Sequence, residues 1–255
     1  MTNGTRNHAT IAVIILNWKR PENIGRIVRT ASEALPAASI FVIDQGEGPY
    51  RLADRHDVPF DRCWMRTQAN GGPGVRFKLA ADWPYDHYLC IDDDVFLTVG
   101  QIRRLMAKLR EDPEAAHGVI GQQLIRYGPG HRHLHVRVME DAQVSMLNCV
   151  YAFTRARARK TLSLAASVGY ERWEDVMRTD DILLSATGPA RVHGFGPLEQ
   201  CGTSSAEDIA VSQQSGFKEE RRLLLVRLMR SGRIYVPAGE IDASTKINWL
   251  RPQPT

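Results

Sequence analysis

Three runs in the first hundred residues, "TIAVIILNW" from Thr10, "SIFVID" from Ser39 and "HYLCIDDD" from His87, are apolar without a break and then stop at Asn or Asp. A strand with no polar alternation must be covered on both faces, and parallel sheets are where such strands occur. Helical patterns fill the gaps. In "RPENIGRIVRTASEAL", Pro21 suits a first turn and Ile24, Ile27 and Val28 recur at helical spacing. "VRFKLAADW" reads as a second helix. "TVGQIRRLMAKLRED" reads as a third, with Ile102, Leu105, Met106 and Leu109 on one side. A short strand is expected around 63–65, and "QGEGP" and "TQANGGPG" are turn and loop. The order predicts an α/β fold, a Rossmann-like, mainly parallel sheet flanked by helices. "GVIGQQLIRY" opens a second half with more strand character, of mixed type.

The bulk numbers narrow the class. A chain of 255 residues with 43% hydrophobic residues can bury a substantial core. The net charge of +4 is spread along the chain with no basic block, so no nucleic-acid partner is expected. Cys63, Cys90, Cys149 and Cys201 form no C-x-x-C pair, and neither a zinc knuckle nor a disulfide framework is expected. Cys90 and Cys149 lie in apolar runs and read as small hydrophobes. No run reaches the ~20 apolar residues of a membrane span. "MTNGTRNHAT" lacks signal-peptide character, so a cytoplasmic location is the expectation.

Parallel strands bring their carboxyl ends to one edge, and ligands bind beyond that edge. Asn17 with Lys19 and Arg20, Asp44, and Asp92 to Asp94 all fall there. Strand side chains alternate, so Asp92 and Asp94 point one way and Asp93 the other. Hard oxygen ligands on a strand end suit Mg²⁺ or Mn²⁺ shared with a substrate's phosphates. Three like charges without a cation raise one another's pKa. The plainer alternative is an acidic N-cap cluster for the helix after "VFLT".

"YLCIDDDVFLT" resembles the Asp-x-Asp segment of nucleotide-sugar glycosyltransferases of the GT-A fold, and most nearly that of the exostosin family. Other segments follow in the same order. "NWKRPENIGRIV" resembles that family's first strand, turn and helix, and "VIDQGEG" its second strand end. "QANGGPGVRF" resembles its Asn-to-Arg loop, with Arg76 sixteen residues ahead of Asp92. "VSMLNCVYAF" resembles a middle strand, "RTDDILLS" an acidic pair before an apolar helix, and "FKEERRLLLVRLM" a helix carrying an active-site arginine. The resemblance implies a single GT-A domain over 1–255. About 8–100 would bind the nucleotide sugar, and about 101–255 would supply acceptor binding and catalysis. It implies transfer of a sugar from a nucleotide sugar, UDP favoured, to a hydroxyl of a small-molecule or glycan acceptor, with retention, assisted by Mn²⁺ or Mg²⁺. It assigns Asp92 and Asp94 to the metal. Asn17, Arg20, Asp44, Asn70, Arg76, Asp92 and Asp93 go to the donor, and Asp180, Asp181 and Arg221 to catalysis. A homodimer is an open option.

The likeness departs at one position. A family histidine one turn before the C-terminal arginine matches Phe217 here, so either the metal has fewer protein ligands or another residue replaces it. His193 is a candidate, as are His131, His133 and His135, which share one face of a strand. Other readings stay open: an inverting family 2-like transferase with Asp180 or Asp181 as general base, a Mg²⁺-dependent nucleotidyltransferase, and a non-catalytic nucleotide-sugar-binding module. Asp180 and Asp181 could also simply cap a helix, and Arg221 could belong to a solvated helix face.

Overall fold

The computed structural model describes residues 9–52, 57–59, 61–67, 72–127 and 132–236, without the side chains of 125–127 and 132–135. Its first half runs β1 (Ile11–Asn17), α1 (Pro21–Ala34), β2 (Ser39–Asp44), β3 (Trp64–Thr67), α2 (Val75–Asp82), β4 (His87–Asp92), β5 (Val95–Phe96) and α3 (Val99–Glu111). Next come β6 (Ala116–Gly118), β7 (Gly121–Tyr127), β8 (Arg132–Val138), β9 (Ala142–Gln143), β10 (Met146–Leu147), β11 (Val150–Thr154) and α4 (Arg155–Ser167). The last described elements are α5 (Asp180–Ser185), β12 (Ala190–Val192), β13 (Glu199–Gln200) and α6 (Phe217–Arg230).

Eight strands form the central sheet in the order β3-β2-β1-β4-β11-β6-β12-β9. β3, β2, β1 and β4 run parallel, in the Rossmann-like manner expected of the first half. β11 enters antiparallel beside β4 and makes the second half mixed. β7, β8 and β10 form a separate three-stranded sheet. Among the described residues no helix is long and apolar enough to cross a membrane.

The apolar runs are explained by double coverage. In β1, Val13 and Ile15 pack in one core cluster with α1 and α3, while Ala12, Ile14 and Leu16 pack in another with α2. β4 divides the same way, with Leu89 and Ile91 on the α1/α3 side and Tyr88 and Cys90 on the α2 side. Both sets are fully or almost fully buried. Pro21 starts α1, whose buried face carries Ile24, Ile27, Val28 and Ala31. α3 starts with a capping box in which Thr98 Oγ1 accepts from Gln101 N, and Thr98 N donates to Gln101 Oε1. That helix therefore has its own cap, and the aspartate triplet does not serve as one.

A buried arginine fastens the antiparallel half. Arg157 on α4 is 3% exposed and donates to the carbonyls of Glu114, Leu184, Gly188 and Pro189. Burial, with no carboxylate in contact to offset it fully, pulls its pKa down to about 10. Gly188 sits at φ +153°, and a Cβ there would lie 2.4 Å from Arg157 Nη1, so the residue must be glycine. Arg157→Met keeps the apolar stem but leaves several buried carbonyls without a donor. The expected loss is about 3 kcal/mol, read as a lower urea midpoint at unchanged slope. A loss under about 1 kcal/mol would mean that water replaces the guanidinium.

Candidate active site at the carboxyl edge of the sheet

The alternation that packs β4 also sorts its terminal acids. Asp92 continues the α2 side and Asp93 the α1 side. Arg76, on α2, donates from Nη2 to Asp92 Oδ1 at 2.7 Å. Arg20, just before α1, donates from Nη1 to Asp93 Oδ1 at 2.8 Å. Asp93 Oδ2 also accepts from the backbone N–H of Trp18 at 2.8 Å and of Lys19 at 3.2 Å. Asp93 thus ties the end of β4 to the turn after β1 and has little capacity left for a ligand.

Asp92 and Asp94 face a cleft of about 550 Å³ beyond the strand ends. Each offers a carboxylate oxygen, and Cys149 offers Sγ, all within 4.8 Å of one another. Burial, with Asp92 and Asp93 as like charges, pushes the Asp94 carboxyl up to about 7 against the opposing pull of Arg20. Asp92 is also raised, chiefly by burial, although Arg76 holds it down. Two crowded carboxylates open to a cleft fit a divalent cation with sites left over for water or phosphate oxygens. Bound there, such an ion would supply positive charge that neutralises anionic oxygens in the cleft.

The other wall is built by α5 and α6. Arg221 makes a two-bond ion pair with Asp181, Nη1 to Oδ1 at 2.6 Å and Nη2 to Oδ2 at 2.7 Å. Asn148 adds a third bond to Asp181 Oδ2 at 3.0 Å, and Ile182 N a fourth to Oδ1 at 2.8 Å. Arg221 further donates to the carbonyl of Arg178 and lies 5.0 Å from the Phe217 ring centre. Burial works against its charge, and the Asp181 carboxylate more than restores it. Arg221 is therefore no solvated surface residue.

Asp180 is different. It is buried beside Asp181, and its Oδ2 lies 3.5 Å from Arg76 Nε without a hydrogen bond. Burial, helped by Asp181 and Asp92 and opposed by Arg76, raises its pKa strongly. Arg76 is only 2% exposed, stacks 5.0 Å from the Tyr151 ring, and leaves Nη1 without a partner. A guanidinium nitrogen and a carboxylate oxygen thus lie buried without hydrogen bonds on residues that line one cleft, an arrangement that calls for a polar partner.

The structure brings Arg20, Arg76, Asp92, Asp93, Asp94, Asp180, Asp181 and Arg221 into one cleft. Asn17 and Asp44 stand apart from its lining. Asn17 Nδ2 donates to Asp44 Oδ1 and to the carbonyl of Tyr50, and Asp44 also accepts from Gly46 N and Leu52 N. They shape the loop after β2. Asn70 and His131 lie outside the described residues. His133 and His135 fall on β8, opposite Arg126 and Leu124. His193 does not line the cleft; it pairs with His117, Nε2 to Nδ1 at 2.9 Å. Asn148, Cys149, Tyr151, Gln45 and Trp18 line the cleft and were not singled out as site residues from sequence. The Asn inside "VSMLNCVYAF" was the one available signal.

No protein-family profile and no curated protein matches the chain. The chain is similar to many solved structures, two of which are the following. Residues 1–349 of TarS from S. aureus align at 15% identity and a TM-score of 0.47, over 74% of this chain and 59% of that one. A CMP:2-keto-3-deoxy-manno-octonic acid synthetase complexed with CTP aligns at 12% identity and a TM-score of 0.48, over 86% and 100%. The chain spans a little over half of the TarS fragment's length.

Because the Asp94 carboxyl titrates near 7 when folded and at 3.8 ordinarily, its contribution to stability is whole below about pH 4 and is lost as pH rises through 7. In chelator, Asp94→Asn is therefore expected to melt above wild type at pH 8, the gap closing toward pH 4. Parallel melting curves across that range would exclude a strained carboxylate at this position.

Proposed function

We propose that the chain is a GT-A glycosyltransferase of exostosin-like type. It moves a sugar from a nucleotide sugar, UDP favoured, to a hydroxyl of a small-molecule or glycan acceptor, with Mn²⁺ or Mg²⁺ on Asp92 and Asp94. The observation that carries this is the meeting of a carboxylate pair, the unpaired Arg76 Nη1 and a second acidic pair in one cleft at the carboxyl edge of a parallel sheet. Arg76 suits a diphosphate oxygen, since a guanidinium donates along fixed directions. Asn17 and Asp44 support the nucleotide end indirectly, through the loop they hold. About 8–100 forms the donor half, and the remaining residues add the acceptor side within one unit.

In the transfer, the acceptor oxygen forms its bond to the anomeric carbon as the bond from that carbon to phosphate oxygen breaks. The acceptor proton must leave. Asp181 is poorly suited to take it, because both its oxygens are held by Arg221 and other donors. This supports the retaining reading, in which a leaving phosphate oxygen accepts the proton. The paired Asp181 and Arg221 then form a fixed polar wall beside the sugar. The Oδ2 of Asp180, which accepts no hydrogen bond but lies 3.5 Å from Arg76 Nε, belongs to a carboxyl whose pKa is raised, and this favours a second reading in which Asp180 is the base of an inverting enzyme.

Proton NMR of the first-formed product separates them by its anomeric configuration. Retention is expected, with Asp180→Asn keeping that configuration at reduced rate. Inversion would replace the first reading with the second, and pyrophosphate release would replace both with nucleotidyl transfer. Asp94→Ala should weaken Mn²⁺-dependent UDP binding by about 100-fold, roughly 2.7 kcal/mol, with no loss of melting temperature. Undiminished metal-linked binding in that variant would remove Asp94 from the proposed centre.

A further inference from the structure

The proposed centre contains one group that neither a magnesium nor a manganese site requires. Cys149 sits between the site residue Asn148 and β11, and its Sγ shares the 4.8 Å cluster with the Asp92 and Asp94 oxygens. Its backbone is held in the left-handed region at φ 61°, alone among the described residues other than glycine. The placement is fixed from both sides, since Cys149 O accepts from Asp92 N at 3.0 Å and Val150 N reaches back to Asn148 O at 2.6 Å. The residue is half-buried and lines the cleft. It packs against the core cluster, as its apolar run suggests, and also lines the cleft.

The cluster does not stand on proximity alone. Arg76 and Asp180 line the same cleft, and Arg76 Nη1 and Asp180 Oδ2 are buried atoms without a hydrogen-bond partner, the latter 3.5 Å from Arg76 Nε. Buried polar atoms without a hydrogen bond call for a polar partner.

Resting on the proposed metal centre at Asp92 and Asp94, we propose that Cys149 is its third protein ligand, through the Sγ thiolate. The thiol gives its proton to solvent as the sulfur–metal bond forms, because a coordinating thiol is deprotonated outright. A mixed set of two carboxylate oxygens and one sulfur ranks ions differently from oxygen alone. Soft thiolate favours Zn²⁺, Co²⁺ and Cd²⁺ over Mg²⁺.

The test is a titration of the full-length, reduced protein with Co²⁺, without nucleotide, followed by the near-ultraviolet sulfur-to-cobalt charge-transfer absorption. Calorimetry gives affinities for Cd²⁺ and Mg²⁺. Wild type is expected to show the band and to prefer Cd²⁺. Cys149→Ser should lose the band and lower the Cd²⁺-to-Mg²⁺ affinity ratio by at least about tenfold, the smallest loss typical even for groups that only support a ligand. Cys149→Gly relieves the left-handed backbone and should also lose the band while melting no lower than wild type. Cys201→Ser, which changes a thiol outside the cleft lining but close enough to Arg20 to feel its charge, should keep it. Cobalt bound without a sulfur band, or a band that survives Cys149→Ser, overturns the thiolate ligand and leaves the carboxylate centre standing. Absence of any ion binding that Asp94→Asn diminishes overturns the centre itself, and the thiolate with it.

Discussion

The period-two geometry of β4 governs everything at the carboxyl edge. Two neighbouring aspartates leave the strand on opposite faces, and each meets an arginine delivered by the helix covering that face. Arg20 and Asp93 join the turn after β1 to the end of β4. Arg76 and Asp92 join α2 to the same strand on the other side. Both arginines are buried, so breaking either pair would strand a charge in a low-dielectric place. The crossed pairs hold the strand end rigid, and that rigidity keeps Asp94 and Asp92 close together despite their repulsion.

The same logic divides labour within each acidic pair. Asp93 and Asp181 are saturated by hydrogen bonds, so they position other groups. Asp94 and Asp180, each next to a saturated partner, carry raised pKa values and face the cleft. A fully paired carboxylate is a poor ligand or base, and a crowded, partly unpaired one is a good one. Alternating anchored with strained acids is how a small region holds several negative charges and remains folded.

Much of this could be read from the chain before any coordinates. Continuous apolar runs ending in Asn or Asp led to the parallel sheet and its binding edge, and strand alternation separated Asp93 from Asp92 and Asp94. Helical spacing found Ile102, Leu105, Met106 and Leu109 on the buried face of α3. What escaped were pairings between distant segments. Asp44 looks like a ligand-reading carboxylate at a strand end, yet Asn17, Gly46 and Leu52 use up its oxygens. Arg221 in "KEERR" looks like any exposed helix face until α6 is laid against Asp181, forty residues earlier in the chain. The left-handed backbone of Cys149 leaves no mark in composition or periodicity, and neither does the turning of His193 towards His117.

The ion pair between Asp181 and Arg221 also orders events in time. The cleft gathers residues from Leu16 on the first strand to Arg221 on the last described helix. During synthesis the sheet edge can assemble while α6 is still inside the ribosome, but Asp181 then lacks its counter-charge and one wall is missing. The complete pocket therefore needs nearly the whole described chain, from the first strand to α6.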